Sequence, residues 1–262
     1  MSLDKMKNYV ISLATAQNRR EHITQEFAKQ NMPFDFFDAV IPKTSFDMAN
    51  KLNLDINHHN DLSPNEISCF LSHVSLWQKA IDENLDYIAI FEDDVYLSNT
   101  ANQFLSNTNW IPSDVHIIKI EKINEKINKL KNTKMINKHQ LGKLSCVHIG
   151  AGGYILSSKA IKSLLNFIKN KPIEHIDQIL FRDYFTSGEY DIWQINPVLC
   201  IQDCILYPDN QKFQTYLQWR EKIDKPNKIK LSFFRKLIRE VIRPFKQLCF
   251  KIFYPKITLV FK

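Results

Sequence analysis

Apolar and polar positions along this chain change period repeatedly, and the changes mark out strands and helices. KNYVISL (Lys7–Leu13) is a short run rich in strand-forming residues. In the AQNRREHITQEFAKQN that follows, Ile23 and Phe27 lie four apart on one face, which predicts a helix capped by Thr15. Pro33 stops it, and MPFDFFDAV returns to extended structure. A strand–helix–strand opening implies a parallel pair and an α/β domain. Residues 42–62 read as irregular and polar. In LSPNEISCFLSHVSLWQKAIDEN, Ile67, Phe70, Leu71, Val74, Trp77 and Ile81 recur at helical spacing, and Ser63, Pro64 and Glu66 form a capping-box signature. A helix over about 64–83 follows, with Trp77 in its core face.

Leu85–Phe91 has the length and content of a strand buried on both faces. VHIIKIE (115–121) is another strand, and the lysine-rich stretch after it, to residue 144, reads as a surface excursion. VHIGAGGYILSSKAIKSLLNFI holds a strand, a tight glycine passage and a helix starting near Ser157 or Ser158. PIEHIDQILFRDYF is a further short helix, and DIWQINPVLCIQD is two strands split at Pro197. Strand–helix alternation with irregular inserts predicts a mixed α/β sheet, and no internal repeat is present.

The strand Leu85–Phe91 runs into three consecutive acids, Glu92, Asp93 and Asp94. Ligands of open α/β sheets sit beyond the carboxyl ends of strands. An uncompensated buried carboxylate costs several kcal/mol, so these acids must reach water, meet cations or hold a metal. Oxygen ligands of this kind suit Mg²⁺ or Mn²⁺ shared with substrate phosphates. Strand alternation puts Glu92 and Asp94 on one side and Asp93 on the other.

Composition narrows the class. The 262 residues are 44% hydrophobic, enough for one large core, and charged residues make up 24%. The formal net charge of +7 is misleading as an average: residues 225–262 hold eleven Lys/Arg against one acid, while the rest holds 24 against 27. A mildly acidic body with a basic tail argues against a nucleic-acid-binding fold. Five cysteines at irregular spacings fit reduced thiols of a cytosolic protein. MSLDKMKNYVISL lacks the charged region and long apolar core of a secretory signal, and no run approaches a membrane span.

Taken in order, several motifs resemble bacterial glycosyltransferase family 25, the lipooligosaccharide glycosyltransferases. They are Val10–Leu13 with Arg19 and Arg20, Phe36–Val40, the Glu66–Trp77 helix, the acids from Glu92, Gly150–Ser157, Ile176–Gln178, and Pro197–Gln202. The ordered set covers roughly residues 7–205. Ser68 and Phe70 stand where smaller residues are expected, and Gly152 and Gly153 where alanines are usual. The resemblance implies a GT-A-like, Rossmann-type mixed sheet flanked by helices over residues 1–224. It implies a UDP-sugar donor, with galactose favoured, and Mn²⁺ or Mg²⁺ held by Asp94 and Glu92 against the diphosphate. Donor contacts fall to Ser12, Leu13, Arg19, Arg20, Glu66, His73, Glu92 and Asp93. Gly152, Gly153, Tyr154 and Gln202 orient acceptor or substrate. Asp177 is the candidate general base, with Glu174 and His175 able to tune or replace it and Asp38 and Asp203 weaker contenders. The family alone implies inversion at the anomeric carbon.

LSFFRKLIREVIRPFKQLCFKIF places Phe234, Leu237, Ile238, Val241, Phe245, Leu248 and Ile252 along one stripe, with basic residues on the opposite face. A basic amphipathic helix of this kind suits an anionic membrane surface. The expectation is a separate tail, residues 225–262, that attaches the enzyme to the inner face of the cytoplasmic membrane beside a lipid-linked acceptor. Two other readings use the same residues: a metal-dependent phosphohydrolase or nucleotidyltransferase, and an inactive membrane-bound scaffold.

Overall fold

A computed structural model describes residues 6–59, 61–169, 171–213 and 255–262. In chain order its elements are β1 (Lys7–Ser12), α1 (Gln17–Lys29), β2 (Asp35–Asp38), α2 (Pro42–Lys51), α3 (Pro64–Asp82), β3 (Tyr87–Glu92), β4 (Val95–Leu97), α4 (Asn102–Leu105), β5 (Ile117–Lys119), β6 (Glu121–Lys122) and β7 (Lys126–Asn128). There follow β8 (Lys131–Ile136), β9 (His139–Lys143), β10 (Gly153–Ser157), α5 (Ser158–Ile168), α6 (Ile176–Gln178), α7 (Tyr184–Ser187), β11 (Ile192–Asn196), β12 (Cys200–Gln202), α8 (Asp203–Leu206) and β13 (Lys256–Thr258). A π-helical turn, Ile179–Asp183, joins α6 to α7.

The spine is an eight-stranded mixed sheet in the order β2-β1-β3-β10-β5-β11-β9-β8. β1 is parallel to β2 and β3, β10 is antiparallel to β3 and β5, and β5 is parallel to β11. The strands β2, β1, β3, β5 and β11 therefore share one direction, and their carboxyl ends gather at one end of the sheet. Just past those ends the chain builds a second sheet, β4-β12-β6. Alternate side chains of each central strand feed two cores. Tyr9, Ile11, Ile88, Ile90, Tyr154 and Leu156 pack with α3 and α5, while Val10, Ala89, Phe91, Ile118 and Ile155 pack with Ile23 and Phe27 of α1. Burial on both faces is why the strand before the acids carries no polar alternation.

The capping box of α3 is complete: Ser63 Oγ accepts from Glu66 N, and Glu66 Oε2 accepts from Ser63 N at 2.6 Å. The parallel β1–β2 pair, the split at Pro197 and the Ser157 cap of α5 also match the sequence pattern. Four expectations change. Thr15 does not cap α1; Gln17 N donates to its carbonyl in a tight turn, and Ala16 precedes the helix with no side-chain cap. Residues 42–51 are helical, because Pro42 opens α2 and the small residues Ser45 and Ala49 face inward while Phe46 stays exposed. Apolar period is a poor guide when the buried stripe is made of small side chains.

The lysine-rich stretch is not an excursion but four strands. β8 and β9 form a hairpin on the sheet edge, turned by Asn137 and Lys138, both at positive φ as a type I′ turn requires. Its lysines suit an exposed edge strand. Finally, the last eight residues belong with the body. β13 pairs antiparallel with β7, Val198 N donates to Val260 O at 2.8 Å, and Leu259 is fully buried. The amphipathic stretch, Phe234–Ile252, lies outside the described residues. Among the described residues no helix is long and apolar enough to cross a membrane.

Candidate active site

The three acids turn the chain from β3 into β4, and each side of the turn has its own partners. Asp93 faces β1: Ser12 Oγ donates to its Oδ2 at 2.6 Å, and Arg19 Nη1 reaches its Oδ1 at 2.5 Å. Glu92 and Asp94 face the other way and share Gln202, whose Nε2 donates to Glu92 Oε2 at 2.7 Å and to Asp94 Oδ1 at 3.3 Å. The alternation expected from strand geometry therefore holds through the turn. Backbone bonds fix it further: Glu92 N donates to Gly152 O at 3.1 Å, and Asp203 N to Asp94 O at 2.9 Å.

Charge in this cluster does not balance. Arg19 sits 2.5 Å from Asp93 and 3.7 Å from Asp94, and it is the cation paired with the triplet among the described ion pairs. Burial pushes the Glu92 carboxyl well above the usual range, and the charges of Asp94, Glu121, Asp93 and Asp177 add to it. Burial likewise lifts Asp94 to about 6, with Arg19 pulling the other way. With Asp93 matched to Arg19, Glu92 and Asp94 put carboxyl oxygens at the mouth of the sheet whose ionisation a bound cation would favour. That oxygen donor set fits a hard divalent cation.

Other expected site residues fall into place around the cluster or behind it. Arg20 does not project outward; Nε donates to Leu13 O and Nη2 to Ser12 O, each at 3.1 Å, while Nη2 also pairs with Asp38. It fastens the end of β1 to the end of β2. Asp177 accepts from Gly150 N at 3.2 Å, which ties α6 to the glycine passage before β10. Glu66 does not project as the expected donor contact; one of its oxygens is taken up by the cap, and the other lies 3.7 Å from His175 Nε2. Asp203 is buried, accepting from Phe213 N at 3.0 Å and Tyr96 OH at 3.2 Å, and so cannot serve as a base. Tyr154 and His73 are both fully buried. Tyr154 is therefore not an acceptor contact; it accepts from Trp77 Nε1 at 3.1 Å and meets His73 Nδ1 at 2.7 Å behind Glu92. Burial drives the His73 imidazole down to about 3, so the ring is neutral.

Gly152 and Gly153 are needed for close approach. A Cβ on Gly152 would lie 2.6 Å from Glu121 Oε2 and 2.8 Å from Gln202 Cδ, and one on Gly153 would lie 2.2 Å from Cys200 Sγ. These contacts expose a pair that sequence reasoning missed. Lys119, at the end of β5, and Glu121, at the start of β6, are both fully buried and paired at 2.7 Å. Lys119 also donates to Gly150 O and lies over the Phe181 ring at 4.2 Å, while Glu121 Oε1 accepts from Gly152 N at 3.0 Å. The pair thus clamps the passage that bonds Asp177 at one end and Glu92 at the other.

A carboxylate cluster thus sits at the carboxyl ends of a mixed α/β sheet flanked by helices, with Arg19 of α1 beside it. Comparison with known proteins carries this to a family. The description glycosyltransferase family 25 (LPS biosynthesis protein) matches residues 5–180. A putative glycosyltransferase of Haemophilus influenzae is 38% identical over 236 residues, covering 89% of this chain and 83% of its own. The lipooligosaccharide biosynthesis protein lic2B of the same species is 36% identical and covers 91% and 99%. The lacto-N-neotetraose biosynthesis glycosyltransferase LgtE of Neisseria gonorrhoeae is 36% identical, with coverage of 76% and 74%. A crystal structure of a glycosyltransferase involved in glycosylation of the major capsid of PBCV-1 superposes at a TM-score of 0.42 with 8% identity, covering 76% of this chain and 93% of that one. The chain belongs to glycosyltransferase family 25.

Proposed function

We propose that this chain moves a sugar, with galactose favoured, from a UDP-sugar to a lipooligosaccharide acceptor, with Mn²⁺ or Mg²⁺ as cofactor. The observation that carries the reading is the unbalanced pair Glu92 and Asp94 at the carboxyl ends of the parallel strands. Asp94 and Glu92 would hold the cation, and the cation would offset charge on the departing diphosphate. The name of lic2B, a lipooligosaccharide biosynthesis protein, supports the lipooligosaccharide acceptor, and that of LgtE, a lacto-N-neotetraose biosynthesis glycosyltransferase, supports sugar transfer in oligosaccharide assembly. Arg19 and Ser12 hold Asp93 in place, and Gln202 keeps Glu92 and Asp94 on a common side. Leu13 and Ser12 offer the end of β1 to the nucleotide. Asp177 is the general base that takes the acceptor hydroxyl proton, and a single in-line displacement inverts the anomeric centre. The enzyme works on the inner face of the cytoplasmic membrane, drawn there by its basic segment.

The test is product analysis with Mn²⁺ and a panel of UDP-sugars, with and without a lipooligosaccharide acceptor. Acceptor-dependent release of UDP, lost in Asp177→Asn, is expected. Release of phosphate or pyrophosphate instead would replace the reading with hydrolysis or nucleotidyl transfer.

A further inference from the structure

We infer that Trp77, Tyr154 and His73 form a one-way hydrogen-bond relay that fixes His73 as its Nε2–H tautomer and presents that N–H to Glu92 as a positioning donor. The inference deepens the proposed function, because Glu92 is one of the carboxylates assigned to the cation, but its geometry stands without that assignment.

Cys69, His73 and Trp77 follow one another four apart along α3 and so line one stripe of the helix. The stripe faces Tyr154 of β10, and Trp77, His73 and Tyr154 have no exposed surface. Direction follows from donor chemistry. An indole N–H can only donate, so the 3.1 Å contact makes the Tyr154 oxygen an acceptor. Burial holds the phenol protonated. The phenol proton then goes to His73 Nδ1, 2.7 Å away, which must be the bare nitrogen. The ring proton is left on Nε2.

The opposite tautomer fails the same accounting. With the proton on Nδ1, the Tyr154 oxygen would accept twice and its own buried proton would have no acceptor. Once Glu92 Oε1 closes the 4.0 Å to Nε2, the Nε2–H arrangement gives every one of these protons an acceptor, and the opposite one still leaves the Tyr154 proton without any. Nε2 has no hydrogen-bond partner and lies 4.0 Å from Glu92 Oε1, while Gln202 holds the other oxygen of Glu92. A small closing movement of Glu92 gives its carboxylate one neutral donor on each oxygen, which fixes its plane.

The same residues invite a different reading. One ligand atom each from Cys69, His73 and Glu92 lies within 4.8 Å of the others, a donor set that suits zinc. Zinc would need the bare lone pair of Nε2, where the relay puts a proton. It would also need a thiolate, and burial pushes the Cys69 thiol up, away from ionisation. The stripe is a positioning device, not a soft-metal site.

Long-range ¹H–¹⁵N spectra of the ¹⁵N-histidine-labelled full chain at pH 7.5 decide the matter. The chain has 8 histidines, and the His73 signals are those lost in His73→Gln, with His73→Asn as a second assignment variant. The expected pattern is a protonated Nε2 with a bare Nδ1, giving way to mixed tautomers in Tyr154→Phe. A protonated Nδ1 in the native chain, or an unmixed Nε2–H in Tyr154→Phe, would overturn the relay. Added Co²⁺ should give no thiolate charge-transfer band; a band abolished by Cys69→Ser would establish the metal site in its place. In turnover, Tyr154→Phe should raise the Mn²⁺ concentration for half-maximal rate about fivefold, the worth of one hydrogen bond. An inactive native protein would count against sugar transfer, while the spectra would still decide the relay.

Discussion

Residue by residue, the site is a set of charges that burial makes costly and specific partners make tolerable. Asp94 has the weakest protein partners of the triplet, a 3.3 Å bond from Gln202 and Arg19 at 3.7 Å, so it is the substitution that isolates the cation. Mn²⁺ should raise the Tm of the native chain but not that of Asp94→Asn, as thermal unfolding with and without the metal would record. Glu121→Gln should disturb the clamp: Lys119 would then be a buried cation without a charged partner, and breaking such a pair costs about 3–5 kcal/mol, visible as a lowered Tm. His148 gives the pH dependence. It is 1% exposed, and burial with the nearby Lys119 charge drives it down to about 3. The unfolded ring, at about 6.5, takes up a proton first, so this contribution to stability is whole above pH 6.5 and is lost as pH falls toward 3. By pH 5 the loss is about 2 kcal/mol, and His148→Leu should flatten the acid limb of a Tm–pH curve.

At the scale of elements, what the sequence could reveal depended on how each element was stabilised. α3 was legible because a complete capping box precedes a long stripe of large apolar residues, and both signals are local. β3 was legible because a strand buried on both faces has no other use for a YIAIF run ending in acids. α2 was hidden by its small inward residues, and the β8–β9 hairpin by lysines that shield an edge strand and by an Asn-Lys turn in place of the commoner Asn-Gly. The site followed the same rule. The triplet showed itself in one window, whereas the Lys119–Glu121 clamp did not. A Lys and a Glu two apart on a strand look like a solvated pair until Gly150, Gly152 and Phe181 close over them. The glycine passage is equally unforgiving: Gly153→Ala drives a methyl into Cys200 and should cost about 1–3 kcal/mol in denaturant unfolding.

For the whole molecule, the return of the C-terminal residues changes how the basic segment is attached. Residues 214–254 join Phe213, which lies 5.0 Å from His22 ring to ring, to the β7–β13 pair, so the segment is anchored at both ends. It holds eleven Lys/Arg against three acids. Basic residues near an anionic surface contribute roughly 1 kcal/mol each, so replacing Arg235, Lys236, Arg239, Arg243 and Lys246 with Gln should sharply weaken co-sedimentation with phosphatidylglycerol-containing vesicles. Unchanged sedimentation would sink the membrane proposal without touching the site. The central claim is that Glu92 and Asp94 make a cation-dependent platform for a nucleoside diphosphate, and calorimetric titration of UDP into the full chain tests it most directly. UDP binding should require Mn²⁺ and disappear in Asp94→Asn. Equal binding without the metal, or unchanged Mn²⁺-dependent binding in Asp94→Asn, would contradict it.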